Sequence, residues 1–386
     1  MLANTLHSCL LAAALLALAA GGAVGAQQDP AAAVSIPGVL VEDFENIALG
    51  SRPFLWKEQK PQGVRATIGV EKAIVDDNDA NRGLQFAYQF PSAYAPGQAI
   101  ETGPMGQPLP GSLTDITMMV FGDGSRNAVA LRLSDRQGET FEWQLAFKGA
   151  EWTRLKFPLD GAGAQRGGTG GNAKADPPLK LEAVRLVRTA GGAPKGEIVV
   201  DNITGLCRFG KVTTLYDTTN GAKLEGWRTV RNRAVKGEVA ESLVPRLGKD
   251  LPALKLEYEY EPSGDASVEF SRTLPAGPGH GTLLAEVFGD GSNNVLRFRM
   301  LDGDGRVWQA NWATLLVDWS GWKTLYLDTR TLRDAEGRDP TGVIQKFPVS
   351  FYSVVVDDVS ARDQLPGVES GRKGEIYVGR LVFCSE

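Results

Sequence analysis

The chain of 386 residues carries 46 glycines, 21 prolines, 3 cysteines and 2 histidines, with a formal net charge of −5. An acidic balance with no basic run in either half excludes nucleic acid and anionic membranes as partners, because both recruit concentrated Lys and Arg. Histidine-based nucleophile systems and catalytic zinc are excluded too. Both need imidazoles placed against other groups, and once His7 is discounted with the N-terminal stretch only His280 is left.

Residues 1–26 read as a secretory signal. The apolar run CLLAAALLALAA suits an h-region and is too short to span a bilayer, and Val24 and Ala26 give a small-residue cleavage pattern before Gln27. The stretch before the run has no Lys or Arg, and Cys9 is badly placed for lipidation. The expectation is an exported protein, periplasmic or extracellular, with no membrane insertion once the signal is removed.

Beyond the signal the chain is strand-like. Leu84, Phe86, Tyr88 and Phe90 alternate with polar or small residues, as do Phe141, Trp143, Leu145 and Phe147. A period of two means one buried and one wet face. Gly and Asp clusters separate the runs: GDGS at Gly122–Ser125 and DRQG at Asp135–Gly138. The segment Asp160–Pro178 is rich in glycine and reads as a mobile loop. The chain then closes on KGEIVVDNITGLC (Lys195–Cys207) and a short linker around RFGK.

After the linker the pattern starts again. VFGDGSRNAVALRLSDRQGETFEWQLA, from Val120, aligns without gaps with VFGDGSNNVLRFRMLDGDGRVWQANWA, from Val287, and 11 of the 27 positions are identical. EWTRLKFPLD matches DWSGWKTLYLD, one residue longer, and KGEIVVDNITGLC matches KGEIYVGRLVFC. Upstream, Leu254, Leu256, Tyr258 and Tyr260 repeat the alternation of Leu84–Phe90. A period this long means two duplicated domains, Ala33–Cys207 and Val212–Glu386, and not a solenoid. Without a convincing amphipathic helix, the fold class is all-β: two tandem jelly-roll β-sandwiches.

The acidic opening strand VEDFEN, the FGDGS-x-N hairpin leading into an apolar/Arg strand, DWSGWKTLYLD and the closing KGEIVVDNI resemble non-catalytic carbohydrate-binding modules. The likeness is to the galactose-binding-like β-sandwich of carbohydrate-binding module family 11 and related modules. It implies a saccharide held on a concave sheet or edge loops, and often a structural calcium joining the first strand to the last.

The resemblance puts Glu45, beside Glu42 and Asp43, and Asp201 at the calcium positions of the first domain. In the second domain Asp217 matches Glu45, but Gly379 and Arg380 replace Asp201 and Asn202. Calcium is therefore expected in the first domain only.

Candidate ligand-binding residues are the polar positions of the wet faces. These are Gln85, Arg132, Glu142 and Gln144 in the first repeat, and Glu257, Arg297, Arg299, Gln309 and Asn311 in the second. Their fixed donors and acceptors suit sugar hydroxyls, although a polar outer face is also ordinary for a solvated sheet. Trp152 and Trp319 read as equivalent core residues, which leaves Trp322 in the inserted position as a stacking platform, with Tyr94 as another. Cys207 and Cys384 end equivalent strands, and are read either as an inter-domain disulfide or as two small core residues.

The leading expectation is a non-enzymatic binder of a polysaccharide or other glycan. A structural or adhesive surface protein is the alternative, and a carboxylate-dependent polysaccharide lyase or hydrolase is the second alternative.

Overall fold

The computed structural model describes residues 34–45, 47, 49–53, 56–72, 82–91, 95–147, 149–159, 163–167, 174–221, 224–246, 249–262, 265–310, 316–338, 342–358 and 370–385. The signal segment, Tyr94, Asn311 and Trp312 lie outside them. The chain divides into two compact units, Met1–Gly210 and Lys211–Glu386.

Strands of the first unit are β1 (Val34–Glu42), β2 (Arg65–Lys72), β3 (Arg82–Gln89), β4 (Ala99–Glu101), β5 (Gln107–Pro108) and β6 (Leu113–Phe121). They continue as β7 (Ala128–Ser134), β8 (Thr140–Ala146), β9 (Trp152–Pro158), β10 (Gln165–Gly167), β11 (Lys180–Val187) and β12 (Lys195–Phe209). Sheet A runs β2-β3-β12-β6-β9 with β1 also on β12, and sheet B runs β10-β8-β7-β11-β4 with β5 also on β11.

The second unit holds β13 (Lys211–Asp217), β14 (Arg228–Asn232), β15 (Ala234–Arg246), β16 (Lys249–Tyr260), β17 (Ser267–Gly277) and β18 (Gly281–Asp290). It ends with β19 (Val295–Leu301), β20 (Val307–Gln309), β21 (Ser320–Asp328), β22 (Arg333–Asp334), β23 (Val349–Asp357) and β24 (Lys373–Ser385). Sheet C runs β15-β16-β24-β18-β21 with β13 on β24, repeating sheet A. Sheet D runs β14-β17-β23-β19-β20-β22, repeating sheet B with one more edge strand. Every ladder is antiparallel, so the all-β sandwich expected from the alternation is what forms. The only helical turns among the described residues are the two short 3-10 turns Thr218–Asn220 and Thr329–Thr331.

The alternating apolar residues fill the space between the sheets. Leu84, Phe86, Tyr88 and Phe90 are buried from sheet A, and Phe141 and Trp143 from sheet B. In the second unit Leu254, Leu256, Tyr258, Tyr260, Phe298 and Trp308 belong to one core.

The repeated FGDGS-x-N motif is a fold staple. Asp123 Oδ2 accepts the Tyr88 hydroxyl at 2.6 Å, its Oδ1 accepts the Ser125 N–H, and Asn127 Nδ2 donates to Tyr88 Oη at 3.0 Å. Asp290, Tyr258, Ser292 and Asn294 make the same bonds in the second unit. The glycine of each KGEI segment is explained by the staple: a Cβ on Gly196 would stand 1.9 Å from Asp123 Oδ2, and one on Gly374 2.0 Å from Asp290 Oδ2.

Two expectations change. Part of the glycine-rich segment forms a strand: β10 pairs with β8, and β22 pairs with β20 at the matching place. Cys207 and Cys384 are free thiols, each buried at 0% exposure in its own unit. Burial pushes the Cys384 thiol up to about 12.

The second change concerns the tryptophans. Trp152 pairs in register with Phe121, and Trp322 pairs with Phe288, the counterpart of Phe121. Trp322 is thus the equivalent of the half-buried Trp152, and the second repeat holds three extra residues, not one, between these partners. Trp319 is instead buried at 2% exposure.

Candidate functional site

A sandwich has two outward faces, and the predicted site residues divide between them. In the first unit Gln85 is on the outside of sheet A, where its Nε2 donates to Glu197 Oε1 at 2.6 Å. Arg132, Glu142 and Gln144 are on the outside of sheet B. In the second unit Glu257 and Trp322 belong to sheet C, whereas Arg297, Arg299 and Gln309 belong to sheet D.

On sheet B the polar residues meet. Arg132 Nε donates to Glu142 Oε2 at 3.0 Å, and its Nη1 lies 3.4 Å from Glu101 Oε2. Arg185 closes the set, with Nε 2.7 Å from Glu101 Oε2 and Nη1 donating to Glu142 Oε1. Register explains the convergence, since Arg132 faces Glu142 across β7–β8 and Arg185 faces Glu101 across β11–β4. Arg185 and Glu101 were not singled out from the sequence, because nothing local marks β4 as the neighbour of β11.

Next to these long side chains, outward positions of sheet B are held by Ala99, Ala128, Ala130 and Val187, all buried and packed together. Ala130 lies in register beside Arg185, and Ala99, Val187 and Ala128 make the next row, so a strip of small side chains borders the charged set on one side. Gln144 is exposed at its margin.

Sheet D carries a variant of this strip. Arg299 Nη1 donates to Glu269 Oε2 at 3.1 Å, its Nε donates to Gln309 Oε1 at 3.2 Å, and the Ser353 hydroxyl donates to Glu269 Oε1 at 2.5 Å. Arg297 departs from its expected place on a wet face. It is 8% exposed and ion-paired with Asp357 at 2.5 Å, because the neighbouring strand supplies a carboxylate there. An ion pair so deeply buried cannot serve as an open donor to a ligand.

On sheet C, Glu257 Oε1 accepts from Lys236 Nζ at 2.6 Å, and Lys255 Nζ donates to its Oε2 at 2.9 Å. These two ammonium groups hold the Glu257 carboxyl below its ordinary pKa. Trp322 is half-buried, with its indole N–H donating to the Pro245 carbonyl at 3.0 Å.

The positions that the resemblance assigns to calcium in the first unit, and their counterparts in the second, lie where the first and last strands meet. Asp201, 2% exposed, accepts at Oδ1 from the Asn202 N–H at 2.6 Å and at Oδ2 from Asn202 Nδ2 at 2.8 Å. Glu45 Oε1 accepts the Arg82 N–H at 3.1 Å. Burial, and then repulsion from Glu45 and Asp43, pushes the Asp201 carboxyl up to about 8. Burial, with a contribution from Asp43, raises Glu45 to about 7. The nearby Arg82 guanidinium offsets little of this, and its Nη1 donates to the Ile47 carbonyl.

Three carboxylates of like charge around a buried strand end are the donor chemistry of a hard cation. Among the described residues, however, no three such groups converge at ligating distances, so backbone carbonyls and water would have to complete the sphere. In the second unit the Arg380 guanidinium stands 3.4 Å from Asp217 Oδ2, and Asp217 Oδ1 also caps the following turn through the Thr219 N–H.

No protein-family model matches this sequence, and no curated protein matches it. Solved structures of carbohydrate-binding modules are similar to it at low identity. A family 11 module from Clostridium thermocellum, in complex with a β-1,3-1,4-mixed-linked tetrasaccharide, is 15% identical over 45% of this chain and 95% of its own (TM-score 0.31). A tandem of two family 22 modules from Paenibacillus barcinonensis is 12% identical over 94% of this chain and 100% of its own (TM-score 0.25). A family 61 module in complex with β-1,4-galactotriose is 10% identical over 45% of this chain and 99% of its own (TM-score 0.28). These overlaps are low, and the architecture above rests on the chain's own sheets.

Proposed function

We propose that this is an exported, non-enzymatic carbohydrate-binding protein in which sheets B and D present the saccharide contacts. The observation that carries the reading is the strip on sheet B, where Arg132, Arg185, Glu101 and Glu142 form one ion-paired set beside a row of small residues. Paired guanidinium and carboxylate groups offer a donor and an acceptor side by side, the pattern that adjacent sugar hydroxyls satisfy. Pre-organised pairs also lose little rotamer freedom when a ligand arrives. His280 takes no part. Its Nδ1 is 3.1 Å from the Thr329 hydroxyl and its ring packs edge-on against Phe347.

Two such units on one chain would strengthen retention on a polymer, because the second contact becomes intramolecular. Mixed-linked β-1,3-1,4-glucan and β-1,4-galactan are the first probes, being polymers of the oligosaccharides bound in two of the similar modules. Affinity electrophoresis of the full chain should show retention that Arg132→Ala and Arg299→Ala each weaken by about tenfold, a loss of roughly 1.4 kcal/mol. Retention unchanged in the double variant would sink the assignment to sheets B and D. Sugar release from either polymer would overturn the non-enzymatic reading.

Calcium belongs to the same proposal. Glu45 and Asp201, with Asp43 beside them, would hold the ion, which would supply positive charge that Arg82 gives the junction only in part. Calorimetric titration of the full chain should give one site, abolished by Asp201→Asn. Two sites, or one surviving that change, would contradict it.

A further inference from the structure

On the outer face of sheet C three aromatic residues stand in one row across neighbouring strands. Trp322 of β21 and Tyr377 of β24 are both register partners of Phe288 on β18, and Lys255 on β16 continues the row as the partner of Tyr377. Ring centroids are 5.7 Å apart at each step, edge to face. All four side chains are half-buried.

The row is held rigid. The Trp322 N–H is tied to the Pro245 carbonyl, and its ring lies over Gly379, where a Cβ would stand 3.0 Å from two ring carbons. The Tyr377 hydroxyl donates to Glu375 Oε2. Alongside runs a row of carboxylates, Glu375, Glu257 and Glu238, in register across β24, β16 and β15. Lys255 and Lys236 are ion-paired within it.

We propose that this aromatic row is a second glycan-contact surface, on the opposite sheet of the second unit from the strip on sheet D, and that it takes a neutral sugar chain. The inference takes only its ligand class from the reading above. Sugar rings offer C–H faces that stack on aromatic rings and hydroxyls that reach flanking carboxylates and ammonium groups. Three strands span roughly 10 Å, enough for a short oligosaccharide laid across them. Rigid aromatic rings give contact area at small entropic cost. The carboxylates of Glu238, Glu257, Glu286 and Glu375 outnumber the cations Lys236, Lys255 and Arg380, so a uronic-acid chain is disfavoured.

The first unit has only the start of such a row. Phe121 and Trp152 pair edge to face at 5.6 Å, but Val199 and Gln85 stand where the second unit has Tyr377 and Lys255. Tyr377→Val therefore installs the residue the first unit already uses on the same strand, which keeps the ladder intact.

The test is affinity electrophoresis of the full chain in mixed-linked β-glucan, β-1,4-galactan and polygalacturonate, with tryptophan emission as a local reading. Tyr377→Val should weaken retention on a neutral polymer by about fivefold to tenfold. It should also reduce the ligand-induced emission change while the thermal midpoint holds. Val199→Tyr should leave the row's contribution unchanged or raise it. Loss with Tyr377→Val but not with Arg132→Ala/Arg299→Ala keeps this surface and removes the strips of sheets B and D. Loss with the arginine variants and none with Tyr377→Val overturns this surface and keeps the other. Polygalacturonate retained as well as the neutral polymers overturns the neutral-chain assignment. No retention on either neutral polymer overturns both readings.

Discussion

The two units share strand order and the Asp–Tyr–Asn staple, yet they end their first strands differently. In the first unit Asp201 and Glu45 are crowded carboxyls raised to about 8 and about 7, with Asp43 adding to the repulsion. In the second unit Gly379 removes one carboxylate and Arg380 brings a guanidinium to Asp217. The Trp322 ring lies over the space that a side chain at Gly379 would take. The same junction thus crowds carboxyls together in one copy and sets a guanidinium against its carboxylate in the other. Duplication lets the fold stay fixed while the charge solution at one strand end changes.

The largest expected difference is with pH. Asp201 and Glu45 have folded-state values raised above their ordinary values of 3.8 and 4.5, so the folded first unit binds more protons than its unfolded chain between about pH 4 and pH 8. Stability of that unit, in chelator, should therefore fall as pH rises through this window and level off above it. Hydrogen exchange read by mass spectrometry separates the units within the full chain, and an equal slope in both would break the contrast.

Removing the resident cation should act on the other copy alone. Arg380→Met leaves the Asp217 carboxylate buried without its guanidinium and should cost the second unit about 3–5 kcal/mol. A loss below about 1 kcal/mol would mean that capping by Asp217, and not the ion pair, secures the junction.

Shared features should respond alike. Gly196→Ala and Gly374→Ala drive a methyl into Asp123 and Asp290 and should each destabilise their own unit by about 1–3 kcal/mol. Unequal costs would show that one staple has more room than the other.

The smallest expected effect concerns Trp308, whose indole N–H donates to Asp302 Oδ2 at 2.9 Å. The first unit has Phe141 there, and Asp135 Oδ2 is buried without a hydrogen-bond partner. Trp308→Phe should reproduce that state at a cost of about 1–2 kcal/mol in thermal unfolding. A neutral result would show that water already serves the carboxylate.

Much of the fold was legible because period-two alternation and Gly/Asp turns are local signals. Leu84 to Phe90 and Leu254 to Tyr260 face the core as their spacing requires. The site was less legible. Glu101 and Arg185 lie far apart in sequence, and only the β4–β11 ladder brings them together. Trp322 was displaced in the alignment because the motif match allowed one extra residue here, whereas the second repeat has three between the partners Phe288 and Trp322 relative to Phe121 and Trp152. Hydrogen-bond register sets Trp322 opposite Phe288.

By itself the sequence determined an all-β duplication whose shared chemistry proceeds without imidazole, since composition and alternation follow from single residues and their neighbours. Tertiary structure decided which polar residues share a face, that Arg297 is spent on Asp357, and that Tyr377 extends an aromatic row. Strand neighbours are set by packing and backbone pairing across the whole sheet. A linear reading of the chain contains no term for either.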